Sequence, residues 1–169
     1  MSKPFIAILM GSDSDLPVVQ SAIDVLTKLA VPVEVKITSA HRTPEATHQF
    51  VTDADKRGCA AFIACAGMAA HLAGVVASLT LKPVIGVPID AGPLNGVDAL
   101  LSTVQMPGGI PVATFAIGKA GAKNAGYFAA QILSLQDADL ATRLKSDRAA
   151  NTQSVIDKDT KLQATLSNA

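Results

Sequence analysis

Charge is scarce in this chain. Asp, Glu, Lys and Arg make up 17% of its 169 residues, against roughly a quarter in an ordinary soluble domain. A surface so short of charge implies that part of it is covered by further copies of the chain. The 14 basic and 14 acidic residues cancel, which leaves no basic field for nucleic acid. Aromatics are scarcer still, with five Phe, one Tyr and no Trp, too few for a base-stacking platform. Only Cys59 and Cys65 are present. They fall in or beside one apolar run, and residues six apart on a strand stand too far from each other to bridge. They read as reduced, buried thiols and so as a cytoplasmic protein. Met1-Ser2-Lys3-Pro4 leads straight into a short strand, the pattern of neither a signal peptide nor a membrane span. Three His and two Cys form no Cys-x-x-Cys and no His-x-x-x-His, so no metal is expected. Gly-x-Gly-x-x-Gly, the P-loop and the nucleophile elbow are all missing.

What the chain does have is alternation. Apolar runs at 5–10, 33–37, 60–65, 84–87 and 112–117 read as strands, each short and continuous as in a buried parallel sheet. Between them lie helical patterns. Val19, Ala22, Ile23, Leu26 and Leu29 recur at helical spacing. A second helix runs from Pro44 to about Arg57, with Gly58 as its left-handed stop. A small-residue helix spans about 69–79, a short one 97–103, and a clear one 124–135. A further helix covers about 138–150 and carries Leu140 and Leu144. From Asn151 the chain turns polar, so residues 1–151 read as one domain and 152–169 as a tail, either disordered or an arm onto a neighbour. Five strand–helix alternations predict an α/β fold, a three-layer αβα sandwich with a parallel sheet. Right-handed crossovers leave few topologies, and the commonest for five strands is the flavodoxin-like order 2-1-3-4-5. Ligands then bind beyond the carboxyl ends of the strands, at the switch point between strands one and three.

The unusual polar residues collect in the loops at that edge. Ser39-Ala40-His41-Arg42-Thr43-Pro44 links strand two to helix two, with Thr43 as cap and Pro44 at the first helical position. Its imidazole can change charge near neutral pH, and its guanidinium can grip a phosphate or carboxylate in two places. Gly11-Ser12-Asp13-Ser14-Asp15 opens helix one. Its backbone N–H groups and the Ser12 and Ser14 hydroxyls suit a phosphate, and Asp15 suits sugar hydroxyls. The same Ser and Asp residues would serve equally as helix caps. Cys65-Ala66-Gly67-Met68-Ala69-Ala70-His71 ends strand three. Small residues there make room for a flat ligand, and His71, in the first turn of the next helix, could hold a carboxylate or merely pack. His48, one turn past Pro44, reads as structural.

Together these loops resemble one family. Gly-Ser-Asp-Ser-Asp at 11–15, Ser-Ala-His-Arg-Thr-Pro at 39–44, Ala-Gly-Met-Ala-Ala-His-Leu-Ala-Gly at 66–74 and Pro-Val-Ile-Gly-Val-Pro at 83–88 carry the likeness. Val-Gln-Met-Pro-Gly-Gly-Ile-Pro-Val-Ala at 104–113 and Asn-Ala-Gly-Tyr-Phe-Ala-Ala-Gln-Ile-Leu at 124–133 complete it. The chain is similar, over residues 5 to about 150, to N5-carboxyaminoimidazole ribonucleotide mutase, the class I form of the purine-pathway carboxylase. That resemblance implies an enzyme of de novo purine synthesis with neither cofactor nor metal. It would move a carboxylate from the exocyclic nitrogen of an aminoimidazole ribonucleotide to ring carbon C4. Ser12 and Arg42 would bind the phosphate and Asp15 the ribose. Ser39, the backbone at Ala66 and Gly67, and His71 would surround the base and carboxylate, and His41 would carry the proton. It also implies a homo-octamer with sites completed by neighbouring subunits. Met68 stands where the family more often has Gly, and Ala73 where it often has Pro. The related direct carboxylase reads Ser-Ala-His-Lys at the His41 loop and lacks the Ala-Ala-His-Leu run, so Arg42 and His71 favour the mutase. A flavin-binding module of flavodoxin type is a rival from another class, but the aromatics usually stacked on a flavin are absent.

Overall fold

Each of the five apolar runs becomes a strand of one sheet. The computed structural model describes residues 3–167. The first two residues of the expected N-terminal lead and the last two of the expected tail lie outside them. In chain order the elements are β1 (Phe5–Met10), α1 (Leu16–Lys28), β2 (Val33–Ile37), α2 (Pro44–Lys56), β3 (Cys59–Gly67) and α3 (Leu72–Leu79). Then follow β4 (Val84–Ile89), α4 (Val97–Val104), β5 (Ala113–Thr114), α5 (Gly118–Ser134) and α6 (Ala138–Ser167). The strands are parallel and ordered β2-β1-β3-β4-β5, the order expected from the alternation.

The period-two rule for strands sorts the core into two layers. Ile6, Ile8, Met10, Ile63, Cys65 and Ile85 face α1 and α5. Phe5, Ala7, Leu9, Phe62, Ala64 and Val84 face α2 and α3. Ile6, Ile8, Phe62 and Ile63 are wholly buried, and each such side chain contributes about 1.5–3 kcal/mol. Cys59 and Cys65 are free and buried. Burial pushes the Cys59 thiol up to about 11 and the Cys65 thiol higher still, so neither is a nucleophile near neutral pH. Among the described residues no helix is long and apolar enough to cross a membrane.

Four elements depart from the sequence reading. α3 begins at Leu72 and not at about 69. β5 has two residues, not six: Phe115 still donates its N–H to the Gly86 carbonyl at 2.9 Å, but the chain then bends away so that Phe115 can pack on Phe128. α5 begins at Gly118, six residues earlier than expected. Gly118 has φ +76° and so turns the chain into the helix. Gly126 lets α5 lie on α1, since a Cβ there would stand 2.9 Å from the Ala22 carbonyl oxygen. α6 is one helix of 30 residues through the polar stretch.

The first half of α6 is tied down. Arg143 donates to the Leu29 carbonyl at 2.9 Å. Asp147 pairs with Lys28 and accepts the Tyr127 hydroxyl at 2.7 Å and the Asn151 amide at 3.0 Å. The Lys28 ammonium and these donors hold the Asp147 carboxyl below its ordinary range. Beyond Asn151 every described residue of α6 is exposed.

Candidate functional site

The register brings the carboxyl ends of four strands level. Met10 pairs with Ile37 on one side and Cys65 on the other, and Ala66 pairs with Pro88. The loops that follow therefore converge on one edge, around the gap between β1 and β3. They enclose a cavity of about 430 Å³.

The loop after β1 forms the first wall. The Gly11 N–H extends the ladder to the Cys65 carbonyl at 3.1 Å. Ser12 caps the turn at 13–15: its Oγ accepts the Ser14 N–H at 3.3 Å, and its own N–H donates to Asp15 Oδ2 at 3.1 Å. This is a capping box, so the structural role considered for these residues is real. It does not close the site, because Ser12, Ser14 and Asp15 also line the cavity. Asp15 is buried, and that burial raises its carboxyl above the ordinary value against the lowering effect of the Ser12 and Gly11 N–H groups.

The loop after β2 forms the second wall. Ser39 Oγ accepts the N–H groups of His41 at 3.3 Å and Arg42 at 3.1 Å. Thr43 starts α2 without a side-chain cap; its hydroxyl instead accepts the Ser39 N–H at 2.9 Å. Thr43 thus serves the loop while Pro44 opens the helix. The result is a tight turn that pushes His41 and Arg42 outward together. Arg42 reaches across to the first wall and donates to the Gly11 carbonyl at 3.3 Å.

The loop after β3 forms the third. Met68 has φ +54°, a left-handed conformation that favours glycine. A glycine would adopt this conformation without that cost. Gly67 cannot carry a side chain at all, because a Cβ would stand 2.7 Å from Ala91 Cβ on the loop after β4. His71 sits at the cap of α3, one residue before the helix and not in its first turn. Its Nδ1 lies 2.7 Å from His41 Nε2, with the rings edge to face at 79°. At that distance one nitrogen carries a proton and the other accepts it.

Ser12, Asp15, Ser39, His41, Arg42, Ala66, Gly67 and His71 thus all line one cavity. His48 is exposed and lines none of it. Sequence reasoning missed Ala91, which completes the wall behind Gly67. Nothing in a Pro/Gly-rich loop singles out one alanine. Four other hollows are larger: about 550 Å³ between α5 and α6, about 520 Å³ at the opposite edge of the sheet, about 510 Å³ beside the start of β2 and about 500 Å³ beside the start of β4. None of the four contains an imidazole. Among the described residues no three His, Cys, Asp or Glu side chains converge in a way that could hold a metal ion.

A model of the AIR carboxylase family matches residues 5–154. This chain belongs to that family. It is 51% identical over 160 residues to the N5-carboxyaminoimidazole ribonucleotide mutase of Bacillus subtilis (strain 168), covering 95% of this chain and 99% of the relative. It is 50% identical over 152 residues to the protein of the same name from Escherichia coli (strain K12), covering 90% of each. Among solved structures, Treponema denticola PurE superposes with a TM-score of 0.85 at 30% identity, over 95% of this chain and 99% of that one. The family resemblance carried by the loop motifs is borne out, and these curated relatives are named as mutases.

Proposed function

We propose that this chain is itself an N5-carboxyaminoimidazole ribonucleotide mutase of purine biosynthesis, acting in the cytoplasm. The name shared by relatives of about half identity supports the reaction. The observation that carries the site assignment is His41 in the cavity at the switch point, its Nε2 in contact with His71 Nδ1. Ser12 and the backbone N–H groups of its turn, together with Arg42, receive the phosphate. Asp15 accepts the ribose hydroxyls. Ser39 accepts both N–H groups of its own turn, which leaves its proton to donate to the carboxylate. Ala66, Gly67 and His71 surround the base.

Chemistry follows from the substrate. The carbamate C–N bond breaks, its electron pair staying on the nitrogen, which takes the proton of protonated His41. Carbon dioxide is released and held. The pair at C4 of the electron-rich imidazole forms the new C–C bond. His41 then takes the C4 proton, which restores the ring's aromaticity and the imidazolium together. One imidazole thus serves as acid and then base. Held beside C4, the carbon dioxide is recaptured as an intramolecular partner. The site's remaining task is to exclude water and keep it there. Conversion of the N-carboxy nucleotide to the C4-carboxylate without added bicarbonate tests this. A requirement for bicarbonate with the decarboxylated nucleotide as substrate would make the chain a direct carboxylase.

Arg42→Ala is expected to raise KM about 10- to 100-fold, the worth of one charged hydrogen-bonding group, with kcat within a few-fold. Steady-state kinetics at saturating nucleotide would read this. An unchanged KM would move the phosphate to another loop.

The chain is proposed to assemble as an octamer, with α6 beyond Asn151 as an arm onto a neighbour. Val155, Leu162 and Leu166 are more than half exposed. They repeat at seven and four residues, eleven after Leu144, and so continue the face by which α6 packs on its own body. Light scattering of the full chain is expected to give eight copies. A fully active monomer would remove the shared-site proposal.

A further inference from the structure

We propose that Ser102 on α4 is a positioning residue that holds the β3–α3 loop closed over the released carbon dioxide; the role rests on the mutase reading above. That loop is an unpromising wall. It has four residues between Gly67 and Leu72, and Met68 sits in a left-handed conformation that no glycine relieves. Its own hydrogen bonds are short-range: Ala70 N–H to the Met68 carbonyl at 2.9 Å, and His71 N–H to the Ala69 carbonyl at 2.8 Å.

Besides the contact of His71 with His41, the external support comes from α4. Ser102 Oγ accepts the Ala70 N–H at 3.0 Å. A serine hydroxyl has one proton, and the nearest acceptor is the Asp98 carbonyl one turn back, at 2.8 Å. The hydroxyl therefore bridges helix to loop, donating to the former and accepting from the latter. Its neighbour Thr103 donates chiefly to the Ala99 carbonyl at 2.7 Å and adds only a weak second link from Oγ1 to the Ala70 carbonyl at 3.4 Å. Thr103 also fixes the helix itself. It is buried, and its methyl occupies the space that Gly86 leaves open on β4, where a Cβ would meet it at 2.4 Å. A rigid path thus runs from the sheet through Thr103 and Ser102 to Ala70, the residue before His71. Without Ser102 the loop is held by its internal turns, the long Thr103 bond and, at its far end, the His71 contact to His41, against the strain at Met68.

The consequence is read in commitment. A loosened loop lets carbon dioxide escape between its release and its recapture, leaving the decarboxylated aminoimidazole nucleotide as a by-product. Ser102→Ala keeps a good helix former in α4, so the fold is retained. The ratio of decarboxylated nucleotide to C4-carboxylate is expected to rise about five- to tenfold, the factor for one lost hydrogen bond, with KM little changed. Amide hydrogen exchange at 69–72 is expected to accelerate by a similar factor. Ser102→Thr, which keeps the hydroxyl, is expected to restore both. Unchanged exchange in Ser102→Ala overturns the clamp. Faster exchange with an unchanged product ratio overturns its role in trapping, as does Ser102→Thr leaking as freely as the alanine variant. Wild-type protein that makes no C4-carboxylate overturns the mutase reading instead, and the exchange measurement alone then decides the clamp.

Discussion

His41→Asn is expected to remove turnover by about 10²–10⁴-fold, the usual share of a general acid–base group, while nucleotide binding stays within a few-fold. The variant keeps the backbone N–H that Ser39 accepts, so the turn carrying Arg42 survives. It loses two things at once. An amide does not take up a proton near neutral pH, so neither proton transfer has a carrier. Its nitrogen or oxygen also reaches only to the position of Nδ1, whereas the contact to His71 is made through Nε2. That contact constrains the mechanism further. With one proton between the facing nitrogens the pair is bonded; with a proton on each the two N–H groups would face one another, and the rings must part. In the proposed mechanism, taking up the proton at His41 is thus coupled to which nitrogen of His71 is protonated. Product binding by calorimetry beside steady-state kcat separates binding from chemistry. Near-normal kcat would refute the proton-carrier role.

The pairing of those two imidazoles was not legible in the sequence, although each residue was. They lie 30 positions apart and meet because β2, β1 and β3 end level, a matter of register that no local pattern encodes. Strand positions were legible wherever a strand is buried on both faces, as β1 is, because its apolar run is unbroken. The edge strand β5 was not: apolar side chains at 115 and 117 served packing on α5 and on the loop after β4, and mimicked a longer strand. Ser12 and Asp15 allowed two readings because a helix N-terminus offers the same N–H groups to a cap and to a phosphate, and the structure shows the cap in place within the cavity wall. Ser102 gave no signal, since a serine on an amphipathic helix is ordinary until its neighbour across the fold is known. The start of α5 was not legible either. The helix was expected only from Asn124, yet it begins at Gly118, and Gly121 is one of its contact points.

Gly121→Ala tests that last point, and its expected effect on stability is the largest in the molecule. A Cβ at this buried position would stand 1.6 Å from the Ala116 carbonyl oxygen, where the closest tolerated approach is about 3 Å. The obstacle is backbone, so no rotamer change relieves it, and the start of α5 must move. Ordinary overpacking is worth 1–3 kcal/mol; with backbone as the obstacle the loss is expected at roughly 3 kcal/mol or more. That is a large part of a domain's total stability, and it lowers the urea midpoint by roughly 1–3 M. Gly108→Ala is the control: a Cβ there meets nothing within 4 Å, and its midpoint should match wild type. The damage should also reach the site. Gly96, on the loop after β4, packs so closely on Ile117 that a Cβ would lie 2.7 Å from it. Displacing the chain before α5 therefore shifts the loop that holds Ala91 against Gly67, and activity should fall further than the folded fraction alone accounts for. A Gly121→Ala variant with the wild-type midpoint would mean that the chain before α5 yields freely, and the packing of that corner as described would be wrong.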